Sequence, residues 1–112
     1  MTEKDIQKIA FELNSQLIDE INSMNTNNLE AKFGIKSAVL AEIKEELFEY
    51  FKTADFPQLE ISESKFSIFK YDAGEAFGIE VKLFTQNDRE TELTLHTEFE
   101  NNTLKYKLIE VM

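Results

Sequence analysis

His96 is the only histidine in this chain of 112 residues, and histidine exchanges protons near neutral pH more readily than any other side chain. The alternation of residues around it puts His96 on the open face of a predicted sheet, whereas a general base works in a cleft. We therefore interpret it as part of a surface row of charges. The serines and threonines have no second histidine and no suitably placed lysine to activate them, so nucleophilic catalysis has no support. We expect a protein that is not an enzyme.

Metal and cofactor chemistry also lack their usual residues. The chain has no cysteine, and a single histidine cannot build the common zinc or non-haem iron ligand sets. With 22 acidic residues, chance pairs of carboxylates are inevitable, so no pair by itself indicates acid–base catalysis. Gly74 and Gly78 are not followed by the Gly-Lys-Ser/Thr ending of a phosphate loop. We expect no cofactor and no metal.

The charge is the strongest feature of the composition, because 12 basic residues against 22 acidic ones give a net charge of −10 at pH 7. Such a field repels nucleic acid and anionic lipid and speeds the encounter with a basic protein. We therefore expect no nucleic acid, no membrane and a basic protein partner, such as a toxin or nuclease. Solubility alone is the alternative reason for the acidity. Another is mimicry of a row of DNA phosphates by the carboxylates of one hairpin, which are Asp88, Glu90, Glu92, Glu98 and Glu100.

The first half of the chain has the spacing of helices. Thr2 with Asp5 predicts a helix start, and short amide side chains from Asn22 onwards predict its end. A second, short helix is expected over 29–33, with Asn27 at its start and Gly34 at its end. A third is expected over 37–52, with an acidic solvent face. One apolar stripe of the first helix contains Ile6, Ile9, Ala10, Leu13, Leu17, Ile21 and Met24.

The second half alternates apolar and polar residues with the period of two that half-buried strands show. Strands from Phe77, after Arg89 and from Leu104 onwards, with an earlier one over about 61–71, predict a four-stranded antiparallel meander. If Phe66 points inward, Phe69 lies over Gly78 and forms an aromatic patch with Tyr71. We therefore expect an α+β domain over 1–112, with a helical half (1–56) packed on one face of a sheet half (57–112).

Register follows because paired residues share a face of the sheet. Leu83 should lie opposite Leu93, with a three-residue loop at 87–89. A two-residue turn, Asn101-Asn102, should then place Leu95 opposite Leu108. The remaining predicted inward pairs are Val81 with Leu95, Ile79 with Thr97, Phe77 with Phe99, Phe99 with Leu104, and Thr97 with Tyr106.

The same register predicts a charged outward face. Glu80, His96 and Lys107 should form one row, and Glu98 should lie opposite Lys105. At one end, an outward apolar patch should contain Phe84, Ile109 and Val111 together with Glu92. The candidate partner-binding residues are therefore Glu80, Phe84, Asp88, Glu90, Glu92, His96, Glu98, Ile109 and Val111.

The stretches 77–85, 89–95 and 108–111 resemble the sheet half of small bacterial α+β domains. The chain is also similar to immunity proteins, small acidic α+β partners that neutralise toxic bacterial nucleases. The resemblance covers about half of the chain and carries over no functional residue. It implies a small bacterial binding protein.

These observations together favour a non-catalytic binding protein of the immunity or inhibitor type, which neutralises a basic protein partner through an acidic surface. The polar N-terminus and the absence of cysteine predict a cytoplasmic location. One alternative is a small-molecule-binding domain with a pocket between sheet and helices, lined by phenylalanines, Tyr50 and Tyr106. Another is a self-associating structural protein, a homodimer in which the last strands of two copies pair about a twofold axis.

Overall fold

The computed structural model describes residues 2–53, 57–72, 74–85 and 89–111. In these ranges three helices precede four strands, and the strands form one antiparallel sheet in the order β1-β2-β3-β4. The predicted α+β meander with helices on one face is confirmed. The elements are α1 (Glu3–Ser23), α2 (Thr26–Phe33), α3 (Ser37–Phe51), β1 (Leu59–Lys70), β2 (Phe77–Thr85), β3 (Arg89–Glu100) and β4 (Thr103–Val111).

Helix α1 begins and ends where its sequence predicts. The Thr2 hydroxyl accepts a hydrogen bond from the Asp5 amide, and the Asp5 carboxylate accepts one from the Thr2 amide, both at 3.2 Å. This reciprocal cap satisfies amides that have no partner inside the helix. The helix ends at Met24, which adopts a left-handed conformation (φ 52°) within the predicted run of short polar residues.

Helix α2 is longer than predicted, because its cap is Asn25 and not Asn27. The Asn25 side chain accepts a hydrogen bond from the Asn28 amide at 3.2 Å, which puts Asn27 inside the first turn. Gly34 closes the helix with a φ of 67°, as predicted. Helix α3 ends at Lys52, again with a left-handed backbone (φ 59°).

Most of the predicted register is confirmed, including the second hairpin. Asn101 and Asn102 have φ angles of 51° and 58°, the conformation that a tight two-residue hairpin turn requires. The confirmed inward pairs are Val81 with Leu95, Ile79 with Thr97, Phe77 with Phe99, Phe99 with Leu104, and Thr97 with Tyr106.

The predicted pairing of Leu83 with Leu93 is wrong, because the ladder between β2 and β3 is interrupted there. The Thr91 hydroxyl donates to the Leu83 carbonyl oxygen at 2.7 Å and accepts from the Leu93 amide at 3.0 Å. A side chain thus replaces part of the backbone ladder. Beyond this bulge the strands shift, so that Arg89 belongs to β3 and the predicted loop at 87–89 is wrong.

A second bulge, in β4, overturns the predicted facing of the last residues. Tyr106 pairs with Thr97, but Leu108 pairs with His96, so Lys107 is an extra residue. A shift of one residue sends each following side chain to the opposite face. Leu108 therefore faces outward. The predicted pairing of Leu95 with Leu108 is wrong, because Ile109 takes that place opposite Leu95.

The core lies between the helices and the inner face of the sheet, and it contains a polar link. Asn14 is fully buried on α1, where its amide donates to the Ala10 carbonyl at 2.7 Å. Its side-chain oxygen accepts from the Thr97 hydroxyl on β3 at 2.9 Å. Helix and sheet are thus joined by hydrogen bonds as well as by apolar packing. Every helix in the described part of the chain is too short or too polar to span a lipid bilayer.

Candidate partner-binding face

The sheet has one face that the described helices leave uncovered, which we call the outer face. Alternate residues of each strand point to this face, and residues that are paired between neighbouring strands lie on the same face. Its members on β1 to β4 include Glu60, Ser67, Phe69, Gly78, Glu80, Lys82, Phe84, Glu90, Thr94, His96, Glu98, Lys105, Leu108 and Glu110.

His96 lies between two carboxylates at the centre of the outer face. Its Nδ1 atom is 3.8 Å from Glu80 Oε1, and its Nε2 atom is 2.9 Å from Glu110 Oε1. Nε2 is buried and makes no aligned hydrogen bond, so its contact with Glu110 is electrostatic. The two carboxylates approach opposite sides of the ring, which leaves no common point where all three groups could bind one ion. The arrangement is a cluster of one imidazole and two carboxylates on the open side of the sheet.

The predicted row of Glu80, His96 and Lys107 is correct only in its first two members. Leu108 takes the third place because of the bulge in β4. Lys107 instead contacts Glu98, with 3.3 Å between Nζ and Oε2. Glu98 lies opposite Lys105 in the ladder, as predicted.

An aromatic pair covers Gly78 near the edge of the outer face. The Phe69 and Tyr71 rings meet edge to face, with centroids 5.8 Å apart. A Cβ atom on Gly78 would lie 2.5 Å from the Phe69 ring and 3.1 Å from the Tyr71 ring, so only glycine admits this packing. Phe66 points inward, which confirms the predicted position of Phe69 over Gly78. Both rings stay accessible, with 46% of Phe69 and 37% of Tyr71 exposed.

The predicted outward patch of Phe84, Ile109 and Val111 does not exist. Phe84 is on the outer face, but it lies opposite Glu90 and not Glu92. Ile109 is only 6% exposed because it points into the core. Val111 pairs with Leu93 and so shares the inner side of the sheet, although its position at the end of β4 leaves it exposed.

The other candidate residues fall into three groups. Those that the structure brings together on the outer face are Glu80, Phe84, Glu90, His96 and Glu98. Glu92 is exposed within the bulge of β3, where its amide donates to the Tyr50 hydroxyl at 3.0 Å. Asp88 lies outside the described residues. Sequence reasoning missed Leu108 and Glu110, because the letters of β4 carry no signal for the bulge.

The two tyrosines predicted to line an internal pocket lie in different surroundings. Tyr50 packs against Phe51 and receives the hydrogen bond from Glu92. Tyr106 lines a groove of about 400 Å³ between the end of α2 and β4. The pKa of Tyr106 is raised to about 12, mainly by burial. The carboxylates of Glu42 and Glu46 on α3 contribute to this rise, and a backbone hydrogen bond at Ile109 opposes it.

A wider groove of about 640 Å³ lies between the start of α1 and strand β1. Apolar side chains of both elements and of β2 line it together with charged and polar side chains. Its lining residues are Glu3, Ile6, Gln7, Phe66, Ser67, Ile68, Lys70 and Phe77.

Within the part of the chain that the structure describes, no group of histidine, aspartate and glutamate side chains is arranged to hold a metal ion. Comparison with known protein families, curated sequences and solved structures gave no significant match.

Proposed function

We propose that this protein is a non-catalytic binding protein of the immunity or inhibitor type, which neutralises a basic protein partner, such as a toxin or nuclease, in the cytoplasm. The observation that carries the proposal is the composition of the outer face. Phe69, Tyr71 and Leu108 are large side chains that remain substantially exposed there. Apolar anchors surrounded by charged groups are typical of protein-binding surfaces. The carboxylates on the same face are Glu80, Glu90, Glu98 and Glu110.

The carboxylates of this face can exchange their present lysine partners for the cations of a bound protein. Lys107 on Glu98 and Lys65 on Glu90 form exposed ion pairs at 3.3 and 3.8 Å. Such pairs stabilise a fold by less than about 1 kcal/mol, so a partner's cations can replace them at little cost. The net charge of −10 would speed the encounter with a basic protein. Binding through this face therefore weakens as the salt concentration rises.

Site-specific photocrosslinking in the cell that produces the protein tests the proposal. A photoreactive residue at Ser67 reports on the outer face, and one at Ala41 reports on the solvent-exposed side of α3. We expect position 67 to crosslink to a basic protein and position 41 not to do so. An acidic or neutral crosslinked protein, equal crosslinking from both positions, or no crosslinking at position 67 would contradict the proposal.

Small-molecule binding is the second candidate, and the groove between α1 and β1 is the observation that favours it. Ile6, Phe66 and Phe77 contribute apolar surface to the groove, and its volume is within the range of ligand sites. A charged side chain in this lining, as in Ile6→Glu, should abolish binding of an apolar fluorescent probe. An unchanged probe affinity would remove this candidate.

The hypothesis of self-association through the last strand no longer has its supporting apolar patch, because Ile109 lies in the core. Light scattering at high protein concentration decides between a homodimer and a monomer.

A further inference from the structure

We infer that Phe69, Tyr71, Gly78 and Glu98, together the aromatic–carboxylate cluster, form the place on the outer face where an arginine side chain of the partner binds. The inference rests on the proposed function, since it names the chemical group that the same face would recognise. It also gives Gly78 a role in binding, because only a residue without a side chain leaves room for the two rings to pack over it.

The geometry brings the rings and the carboxylate together. Gly78 is paired on one side with Phe69 and on the other with Glu98. Directly paired residues in an antiparallel sheet have Cβ atoms about 5 Å apart. The tip of the Phe69 ring lies over Gly78, so it extends towards Glu98. Glu80, two residues after Gly78 on the same strand, shares this face and adds a second carboxylate.

A cation is the ligand that this combination fits. The face of an aromatic ring attracts positive charge, and a carboxylate beside it supplies a charged hydrogen-bond acceptor. The carboxylate of this cluster already binds a cation, since the Lys107 ammonium group lies 3.3 Å from Glu98 Oε2. A partner's cation would replace an exposed lysine in that position.

Arginine fits the cluster better than lysine for two reasons. The guanidinium group is planar, so it stacks on a ring while its N–H groups bind a carboxylate in parallel. It is also more weakly hydrated than an ammonium group and loses less on leaving water. Lysine would gain the ionic contact with Glu98 without the stacking.

The rings also cover Gly78 and thereby stabilise the sheet, which is a structural role. A solely structural role predicts no preference between cations. The exposure of Phe69 (46%) and Tyr71 (37%) leaves ring surface available to a ligand, and this surface distinguishes the cluster from a buried packing contact.

An NMR titration of the isotopically labelled full chain tests the inference with two probes: a short capped arginine–glycine peptide and its lysine counterpart. We expect the arginine peptide to shift the amide signals of Gly78 and Glu98 and to bind about fourfold more tightly than the lysine peptide. Tyr71→Leu should remove that preference, and Glu98→Gln should weaken both peptides. Glu45→Gln on α3, which changes the net charge equally, should leave both affinities nearly unchanged. Thermal unfolding of each variant confirms that it is folded.

Four outcomes would overturn the inference. Equal affinity of the two peptides on the outer face, or an arginine preference that survives Tyr71→Leu, would rule out the cluster as an arginine site and leave the proposed acidic face unaffected. Equal effects of Glu98→Gln and Glu45→Gln would also rule out the cluster as an arginine site. Signal changes confined to α3, with none on the outer face, would contradict the proposed function as well.

Discussion

Replacing Gly78 with alanine should expel the Phe69 ring from its place on the sheet. The new Cβ atom would lie 2.5 Å from two atoms of that ring and 3.1 Å from Tyr71, which is closer than packed carbon atoms approach. The Phe69 side chain is at the surface, so it can swing outward. The substitution therefore converts the aromatic pair into an exposed, unpaired ring.

The expected cost follows from what the ring loses. Full burial of a phenylalanine is worth about 1.5–3 kcal/mol, and Phe69 is 46% exposed, so about half of that is lost. Loss of the edge-to-face contact with Tyr71 adds about 0.5–1.5 kcal/mol. The lower backbone entropy of alanine returns about 0.5–1 kcal/mol. Gly78→Ala should therefore lower the free energy of unfolding by about 1–2 kcal/mol.

A double-mutant cycle separates this mechanism from a general effect of the substitution. In a Phe69→Ala background only the 3.1 Å approach to Tyr71 remains, so Gly78→Ala should be neutral or stabilise the fold by up to about 1 kcal/mol. Urea unfolding of the four proteins, followed by circular dichroism, gives the coupling energy. If Gly78→Ala costs the same in both backgrounds, or stabilises the native sequence, the reasoning about ring packing is wrong.

Three further predictions concern the core and the last strand. Thr97→Val leaves the buried Asn14 oxygen without its hydrogen-bond donor and should lower the free energy of unfolding, measured in urea, by about 1–3 kcal/mol. In the double variant with Asn14→Ala, the loss should be smaller than the sum of the two single losses. The pKa of Tyr106 is about 12 in the folded state and 10.0 unperturbed. The stabilisation of the fold by the protonated Tyr106 is therefore complete below pH 10 and is lost as pH rises through 12. After allowance for the partial exposure of Tyr106, this loss of unfolding free energy is about 1 kcal/mol. Tyr106→Phe should abolish the loss when the free energy of unfolding is measured as a function of pH. An unchanged pH dependence in that variant would show that another group causes the loss. Ile109→Ser should cost about 2–4 kcal/mol and Leu108→Ser less than about 1 kcal/mol, and the reverse order would contradict the bulge in β4.

The helices and the central pairs of the sheet were predictable because their signals are local. The cap at Thr2, the left-handed Gly34 and the Asn101-Asn102 turn each depend on one or two residues and their backbone preferences. The alternation along β2 and β3 then fixes which faces meet. These parts of the prediction required no knowledge of distant contacts.

The bulges were not predictable, because each depends on groups that meet only in the folded chain. In the sequence, Thr91 has the features of an ordinary strand residue. In the structure, its hydroxyl donates to the Leu83 carbonyl oxygen and so replaces a backbone hydrogen bond between the strands. Lys107 continues the alternation of β4 perfectly well in sequence, but the strand gains one residue there. As a result the end of β4 was assigned the wrong face, and Ile109 was mistaken for a partner-binding residue.

The candidate site was therefore predictable only in part. Glu80, His96 and Glu98 follow from β2 and β3 and lie where the alternation puts them. Leu108 and Glu110 reach the outer face through the bulge. Asn14 shows the same limit in the core, since its position in an apolar helix stripe gives no hint of its bond to Thr97.

The most direct test of the central claim compares two charge-reversed double variants against the basic protein crosslinked from position 67. Glu80→Lys with Glu98→Lys changes the outer face, and Glu45→Lys with Glu49→Lys changes the solvent side of α3. Both variants carry the same net charge, so general attraction is matched. We expect the outer-face variant to lose binding and the α3 variant to retain it with a small loss. Equal losses, or a larger loss from the α3 variant, would contradict the claim that the outer face of the sheet binds the partner.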